Sequence, residues 1–281
     1  MSTEVVHRNR SLARVVQPVV ALGLAAVVIG VPLWLVLVTS AKSQGEALIP
    51  SLALPKHGWH FAANYGRAFT EGRVLHAFVG SATIVVPSVL LVLLLGSMAS
   101  VLARRKSVVL SLVYAVGISG IVIPPAVITL VLLLRQLSLA GTLAGMVLVY
   151  LGIYMSTAIF FITGFIRTIP TELEEAARVD GAGPVRTFVT IVLPLLRPVM
   201  ATATVLICLY IWNDVFFAFF VIGGRMDTLT LNLFQVASAG VYLNNWNLIF
   251  AYVVLMSLPL LIVFIIAQRR VISGITSGAV K

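Results

Sequence analysis

The sequence predicts an all-α integral membrane protein with six transmembrane helices and one long polar insert, and three observations support this class. The chain has 281 residues, of which 60% are hydrophobic and only 10% are charged, whereas soluble domains carry about 25% charged residues. Six apolar runs have the length of about 20 residues that a helix needs to cross a bilayer. Lys and Arg residues lie at the ends of these runs, where they usually fix membrane orientation.

The six predicted spans extend over most of the chain. They are residues 15–38, 78–102, 108–134, 141–166, 199–222 and 248–267. Basic residues precede the first span as in a signal peptide, but its apolar region is too long and no small-x-small cleavage site follows. The chain therefore divides into a cytoplasmic segment 1–14, a transmembrane domain 15–267 and a cytoplasmic tail 268–281.

The charge distribution predicts that both termini are cytoplasmic. Six spans place the two termini on one side of the membrane. If that side is the cytoplasm, 13 of the 19 Lys and Arg residues lie in inside segments and 6 in outside segments, as the positive-inside rule requires. The inside residues are Arg8, Arg10, Arg14, Arg104, Arg105, Lys106, Arg167, Arg178, Arg186, Arg197, Arg269, Arg270 and Lys281.

The composition excludes several functional classes. A net charge of +10 could indicate nucleic-acid binding, but such binding needs a continuous basic face, and here the basic residues are dispersed around apolar runs. The single cysteine, Cys208, excludes an intramolecular disulfide framework and is interpreted as a small buried hydrophobe. His57 and His60 have no third ligand nearby, so no metal site is predicted.

Two features of the third and fourth spans predict irregular or close packing. Pro124 and Pro125 lie mid-way along the third span, where they must kink or unwind the helix. Irregular backbone at membrane depth is tolerated only where protein or a cavity covers it, so the pair indicates a gate, a substrate-facing bend or an ordinary packing kink. Gly141 and Gly145 form a G-x-x-x-G pair, which predicts close helix packing.

The only long cytoplasmic connection between spans, residues 168–198, is predicted to contain two short helices. Thr171 and Glu174 form a capping-box pattern that begins the first helix, and Gly181 is placed to end it in a left-handed conformation. Pro184 suits the first turn of the second helix. Pro194 breaks the chain before the next span.

One face of the first insert helix carries small residues that a partner surface could approach closely. Spacing at i, i+3, i+4 and i+7 places four residues on this face. They are Leu173, Ala176, Ala177 and Asp180. Two interpretations remain open, a docking surface and an amphipathic surface helix without a partner.

The residues from Glu175 to Pro194 follow a fixed pattern, E-A-A, three residues, Gly, nine residues, I-x-L-P. The specified positions are Glu175, Ala176, Ala177, Gly181, Ile191, Leu193 and Pro194. This pattern resembles the EAA loop of ABC importer permeases. Other segments resemble the carbohydrate-type, or maltose-type, branch of that family. They are Asn64-Tyr65, Asp180-Gly181-Ala182, Trp212-Asn213-Asp214, and the tail residues Gln268-Arg269 and Gly274–Lys281.

The resemblance implies the ABC importer permease fold, in the bacterial cytoplasmic membrane, with several partners. These would be a second homologous permease, two ATPase subunits that bind ATP and Mg²⁺, and an extracytoplasmic solute-binding protein. This chain is expected to bind no cofactor, and it lacks a G-x-x-x-x-G-K-[ST] phosphate loop. The residues implied to couple to the ATPase are Glu174, Glu175, Ala176, Ala177, Asp180, Gly181, Ile191, Leu193 and Pro194.

Asp214 is the only acidic residue within a predicted span. A carboxylate at membrane depth is costly and should face a bundle interior or water. On a continuous helix it would share a face with Tyr210, Asn213 and Phe217, whose groups suit a sugar. The expected substrate path is Tyr210, Asn213, Asp214, Phe217, Pro124 and Pro125. The alternative, in which Asp214 makes an interhelical hydrogen bond to the partner subunit, remains open.

The expected function is therefore that of a permease subunit of an ATP-driven ABC importer for a sugar or sugar-like solute, coupled through residues 172–194. The alternative from another class is an ion-coupled secondary transporter, which would need more intramembrane carboxylates than the single Asp214. No pairing of nucleophile and base and no cluster of metal ligands is evident in the sequence. No catalytic residue is therefore predicted.

Overall fold

The computed structural model describes residues 16–103, 107–238 and 244–279, and the regular structure in these ranges is helical. In chain order the helices are α1 Val16–Ser40, α2 Gln44–Ala47, α3 Phe61–Thr70, α4 Val74–Ala103, α5 Val108–Ser119, α6 Val127–Gln136, α7 Leu143–Ile166, α8 Glu172–Val179, α9 Pro184–Leu195, α10 Arg197–Trp212, α11 Ala218–Ile222, α12 Leu229–Ser238 and α13 Trp246–Ala279. The predicted segment 1–14 lies outside the described residues, as do Arg104, Arg105, Lys106 and Lys281 of the charge count.

Among the described residues, four helices are long and apolar enough to cross a membrane. They are α1, α4, α7 and the Trp246–Gln268 part of α13, which overlap the predicted first, second, fourth and sixth spans. The pair α9 and α10 makes a fifth if it is counted as one span, although its two helices are bent by 76°.

The predicted third and fifth spans are both interrupted. In the third, α5 ends at Ser119 and α6 begins at Val127, and the connection between them contains Pro124 and Pro125, which cannot donate backbone hydrogen bonds. In the fifth, α10 ends at Trp212, so the prediction of one continuous helix over 199–222 is wrong. The physical reason is a side-chain cap that begins a new turn after residue 214, described below.

The glycine pair at the start of the fourth span does not pack two helices together. Gly141 precedes α7 with a φ of +75°, and its N–H donates to the Val221 carbonyl at 2.8 Å. A side chain on Gly145 would overlap the Leu139 carbonyl, which belongs to the turn just before the helix. Gly145 is therefore required by the tight chain entry into α7, and Gly141 by its left-handed backbone and its close approach to Val221 and Arg225. The pair does not form the helix-packing face that was predicted.

The described residues form two compact units. One contains the residues up to Val74 together with Gln235–Leu255, and the other contains Leu75–Phe234 together with the residues from Met256 onward.

In the first unit, a buried amide joins three chain segments. Asn64 on α3 is 4% exposed. Its Nδ2 donates to the carbonyls of Ser40 at 2.9 Å and Lys42 at 2.8 Å, and its Oδ1 accepts from Nδ2 of Asn247 at 2.9 Å. Burying an amide is costly unless it is hydrogen-bonded, so these bonds specify how α3 packs against the end of α1 and the start of α13.

Residues 41–73, between α1 and α4, lie in this unit and contain α2 and α3. The buried ammonium of Lys42 donates to the carbonyl and the hydroxyl of Ser51, each at 2.8 Å. The Glu46 carboxylate accepts from the backbone N–H groups of Lys56 and His57, and the Lys56 bond is the main cause that lowers the pKa of Glu46. These contacts fold the segment back on itself.

In the second unit, α7 is the central packing element, with half of its apolar window buried. Small residues allow two neighbouring segments to approach it closely. A Cβ on Gly96 of α4 would come within 2.8 Å of the Ala158 Cβ, and a Cβ on Gly120 would overlap the Ser156 hydroxyl. The indole N–H of Trp212 donates to the Met256 carbonyl at 3.1 Å and ties α10 to α13.

Candidate functional site

The 168–198 insert folds as the helical pair α8 and α9, joined at Gly181. Gly181 has a φ of +80°, a conformation that favours glycine. Its N–H donates to the Arg178 carbonyl at 3.0 Å, and the Ala182 N–H donates to the Ala177 carbonyl at 2.9 Å. These two bonds form a Schellman motif, which satisfies carbonyl groups at the end of α8. The predicted left-handed cap at Gly181 is therefore present.

The hydroxyl half of the capping box predicted at the start of α8 is not formed. The Thr171 side chain makes no capping hydrogen bond, because its backbone is already helical, with φ −71° and ψ −24°. The Glu174 N–H donates to the Thr171 carbonyl at 3.0 Å instead of the hydroxyl. The Glu174 carboxylate lies 3.8 Å from the Arg178 guanidinium, one turn further along the helix.

The predicted face of α8 is divided between the chain's own core and solvent. Ala177 is 5% exposed, and α8 packs against α9 on this side. The other three residues of the face, Leu173, Ala176 and Asp180, are exposed. Ile191, Leu193 and Pro194 of the E-A-A pattern are half-buried in and after the π-helical turn of α9.

The insert also presents large apolar side chains that this chain leaves uncovered. Val179, which precedes Gly181 in the chain, is 87% exposed, and Val185, which follows it, is 77% exposed. The large apolar residues of α8 and α9 that are exposed are Leu173, Val179, Val185, Val189 and Leu195. We call these five residues the insert patch. A concentration of apolar side chains around a rigid turn is typical of a protein interaction surface.

A groove of about 730 Å³ follows the 76° bend between α9 and α10. It is lined by Val189, Leu193, Pro194, Arg197, Met200, Ala201 and Thr204. Leu196 at the bend is fully buried and anchors this corner. The insert therefore continues directly, through a packed corner, into α10.

The other end of α10 is the break that contains Asp214. The Asn213 amide donates to the Leu209 carbonyl at 2.8 Å and ends the helix. The Asp214 carboxylate accepts from the backbone N–H groups of Phe217 at 3.2 Å and Ala218 at 3.0 Å. These are the bonds of an N-terminal helix cap, and they begin the turn that leads into α11.

Two side chains from neighbouring helices hold this break. The Tyr150 hydroxyl on α7, which is 1% exposed, donates to Asp214 Oδ2 at 2.8 Å. The Thr230 hydroxyl on α12 donates to the Asp214 carbonyl at 2.8 Å. The Asp214 carboxylate thus has three donors within its own chain.

The predicted path residues are brought together only in part. Tyr210 is 48% exposed at the end of α10, and Asn213 is exposed in the break. Phe217 is half-buried beyond the break, so these side chains do not share the continuous helical face that was predicted. Pro124 and Pro125 are exposed between α5 and α6.

Sequence reasoning missed two tyrosines that complete this region. Tyr154 stacks on Tyr210, with ring centroids 5.7 Å apart and planes 11° from parallel, and Tyr150 lies behind Tyr154 at 6.0 Å. The available signal was the i, i+4 spacing of Tyr150 and Tyr154 in the fourth span, which places both on one helical face. Within the described ranges, no group of three or more His, Cys, Asp or Glu residues could hold a metal ion.

Comparison with known families and proteins gives consistent matches. Residues 92–277 match the family described as binding-protein-dependent transport system inner membrane component. The chain is 36% identical over 259 residues to the melibiose/raffinose/stachyose import permease protein MelC of Bacillus subtilis (strain 168), a match that covers 89% of this chain and 91% of that protein. It is 34% identical over 265 residues to the diacetylchitobiose uptake system permease protein NgcG of Streptomyces coelicolor, covering 91% and 85%.

Solved structures show the same fold. A chain from the crystal structure of a bacterial ABC transporter involved in the import of the acidic polysaccharide alginate superposes with a TM-score of 0.78, covering 92% of this chain and 96% of that chain. The sequence identity is 21%, so this likeness concerns the fold alone.

Proposed function

The chain belongs to the family of binding-protein-dependent transport system inner membrane components, and on this premise we propose that it is the permease subunit of an ATP-driven importer for a sugar or sugar-like solute. The observation that carries the proposal is the insert, in which α8, the left-handed Gly181 and α9 form a helix–turn–helix that exposes the insert patch. Relatives whose names refer to the import of melibiose, raffinose, stachyose and diacetylchitobiose match about nine-tenths of the chain, which supports an oligosaccharide as the solute.

The insert is the proposed docking element for a separate ATPase subunit, which binds ATP and Mg²⁺. The residues assigned to coupling are Glu174, Glu175, Ala176, Ala177, Asp180, Gly181, Ile191, Leu193 and Pro194. The exposed insert patch supports this role, because apolar side chains of this size around a rigid turn favour burial against a partner. Ala177 and Val192 are buried and fix α8 on α9.

The proposed topology is six spans with both termini in the cytoplasm, and a transmembrane domain over residues 15–267. In this arrangement α5 and α6 are two halves of one span, since their 12 and 10 residues extend about 18 and 15 Å, together about the thickness of the hydrocarbon core. The fifth span is α10 with the turn through α11. The bacterial cytoplasmic membrane is the proposed location.

The remaining proposed partners are a second homologous permease and an extracytoplasmic solute-binding protein. None of the most apolar window of α1 is buried within this chain, and on α5 Val108 is 88% and Leu112 is 66% exposed. Lipid and a second permease would cover these surfaces.

The solute path is proposed to pass Tyr210, Asn213, Asp214, Phe217, Pro124 and Pro125. Support comes from the exposed polar side chains and the irregular backbone near these residues. Polar side chains and non-helical backbone at membrane depth do not face lipid but line protein contacts or water-filled cavities.

The connectivity suggests how ATP-dependent movement would reach this path. Closure of the ATPase pair would shift the docked α8 and α9. Because α9 continues through the packed corner at Leu196 into α10, the shift would move α10 as a lever. The far end of α10 is the break at Asn213 and Asp214, and Tyr210 and Phe217 of the proposed path flank this break.

The docking role is tested by co-purification of an ATPase subunit with two matched variants. Gly181→Val forces a β-branched residue into the left-handed region, at a cost of about 1–2 kcal/mol or more. Gly183→Val is the control, because Gly183 has a φ of −68° and open space around it. We expect Gly181→Val to lose the ATPase and Gly183→Val to retain it. Equal retention by both variants would contradict a docking role for this turn.

A further inference from the structure

Three tyrosines form a continuous aromatic column beside the break in the fifth span. Tyr150 and Tyr154 lie one turn apart on α7, and Tyr154 stacks nearly parallel on Tyr210 of α10. Exposure rises along the column, from 1% at Tyr150 through a half-buried Tyr154 to 48% at Tyr210. One face of the Tyr210 ring lies against Tyr154, so the opposite face is the open end of the column.

The column is held in place by the polar contacts of Asp214. The Tyr150 hydroxyl donates to the Asp214 carboxylate, and this carboxylate also caps the turn that follows the break. Both carboxylate oxygens of Asp214 therefore accept hydrogen bonds from groups of this chain. The exposed groups next to it are the Tyr210 ring and the Asn213 side chain.

The open face of Tyr210 is located at membrane depth. Tyr210 is the fourteenth residue of α10, about 20 Å along the helix from Arg197, whereas the hydrocarbon core is about 30 Å thick. The backbone leaves the helix three residues later, at Asn213. Non-helical backbone at this depth must be covered by protein or line a water-filled cavity.

We propose that the open face of Tyr210 binds a pyranose ring of the transported solute by stacking, with Asn213 as a hydrogen-bonding group for the sugar hydroxyls. An aromatic face offers a large, rigid apolar surface with a polar hydroxyl at its edge, which matches the apolar C–H face and polar rim of a pyranose. Tyr154, Tyr150 and Asp214 are positioning residues that hold the Tyr210 ring. This inference rests on the proposed function as a sugar importer.

The experiment uses the complete transporter, reconstituted in proteoliposomes with its second permease, ATPase subunits and solute-binding protein. Radiolabelled melibiose, raffinose and diacetylchitobiose are the probes. The quantity measured, at saturating binding protein, is the number of sugar molecules taken up per ATP hydrolysed. This ratio isolates events in the membrane path, because the binding protein sets the apparent affinity for free sugar.

Tyr210→Ala is expected to lower this ratio by about fivefold, the size of one lost stacking contact. Tyr210→Phe retains the ring face and should keep most of the ratio, and Tyr154→Ala should lower it because the Tyr210 ring loses its support. The matched control is Phe160→Ala, which removes an exposed aromatic side chain of α7 outside the column.

Several outcomes would overturn the inference. An unchanged ratio in Tyr210→Ala would remove the stacking role and leave the importer function intact. An equal loss in Tyr210→Phe or in Phe160→Ala would show a packing effect instead of sugar contact. If the wild-type complex hydrolyses ATP but takes up none of the three sugars, the inference and the proposed sugar substrate fail together.

Discussion

At the scale of single residues, Asp214 shows how a carboxylate within a predicted span is held by hydrogen bonds. Its three donors come from the next turn and from Tyr150, 64 positions away in the chain. The sequence marks the carboxylate as unusual, because it is the only acidic residue in a predicted span. Its partners could not be predicted, since nothing local to Asp214 indicates which face of another helix it will meet.

Removal of this carboxylate should destabilise the protein. Asp214→Ala leaves the buried Tyr150 hydroxyl and two backbone N–H groups without an acceptor, at a cost of about 1–3 kcal/mol for each unsatisfied buried group. Thermal unfolding of the purified complex should show a lower Tm for Asp214→Ala than for Asp214→Asn, which keeps one acceptor oxygen. Tyr150→Phe, which leaves the cap intact, should have the smaller effect. A wild-type Tm in Asp214→Ala would contradict the observed contacts.

The two caps of α8 show where local sequence rules succeed and fail. Gly181 was predictable because a left-handed cap has a strong residue preference. The predicted bond from the Glu174 N–H to the Thr171 hydroxyl is not formed, because the incoming chain is already helical at Thr171. A capping pattern specifies a possible bond, whereas the path of the preceding chain decides whether the bond forms.

At the scale of elements, the two interrupted spans have different origins. The break between α5 and α6 follows from Pro124 and Pro125, whose effect on a helix is local and therefore predictable. The break after Trp212 depends on Asp214 as a cap and on Thr230 from a helix later in the chain. Apolar composition alone could not distinguish this span from an uninterrupted one.

Accessibility to water tests the proposal that the first break lies beside the solute path. Cys208 is the only cysteine, so Val122→Cys and Leu112→Cys can be made in a Cys208→Ser background. Val122 is 83% exposed in the break and Leu112 is 66% exposed on α5. A water-soluble maleimide should modify Val122→Cys much faster than Leu112→Cys in the assembled complex, because irregular backbone avoids lipid. Equal, slow modification would place the break in a dry packing contact.

At the scale of the whole molecule, the sequence predicted the class of protein, the family and the insert, because these depend on apolar run lengths and on a motif of fixed spacing. It did not predict that the segment between α1 and α4 folds into α2 and α3. It also did not predict that Asn64 in this segment accepts a hydrogen bond from Asn247, 183 positions further along the chain. In the sequence, Asn64-Tyr65 is only a motif before the second span that resembles the carbohydrate-type branch. Only the three-dimensional arrangement shows that its amide is buried.

The proposed orientation is tested with fluorescent reporters that mature only in the cytoplasm. Fusions at residue 1 and at residue 281 should both be fluorescent, because 13 of the 19 basic residues then lie inside. A fusion in the Gly223–Gly224 connection should be dark. Fluorescence at only one terminus would contradict a six-span topology.

The central claim is that this chain transports its solute as one subunit of an ATP-driven importer. The most direct test measures radiolabelled raffinose, melibiose or diacetylchitobiose uptake into proteoliposomes that contain this chain, a second permease and the ATPase subunits, with the binding protein added outside. The account predicts uptake that requires two components. These are ATP inside the vesicles, where the ATPase subunits lie, and the binding protein outside. Uptake by this chain without ATPase subunits, driven by a proton or sodium gradient, would contradict the account and establish an ion-coupled transporter.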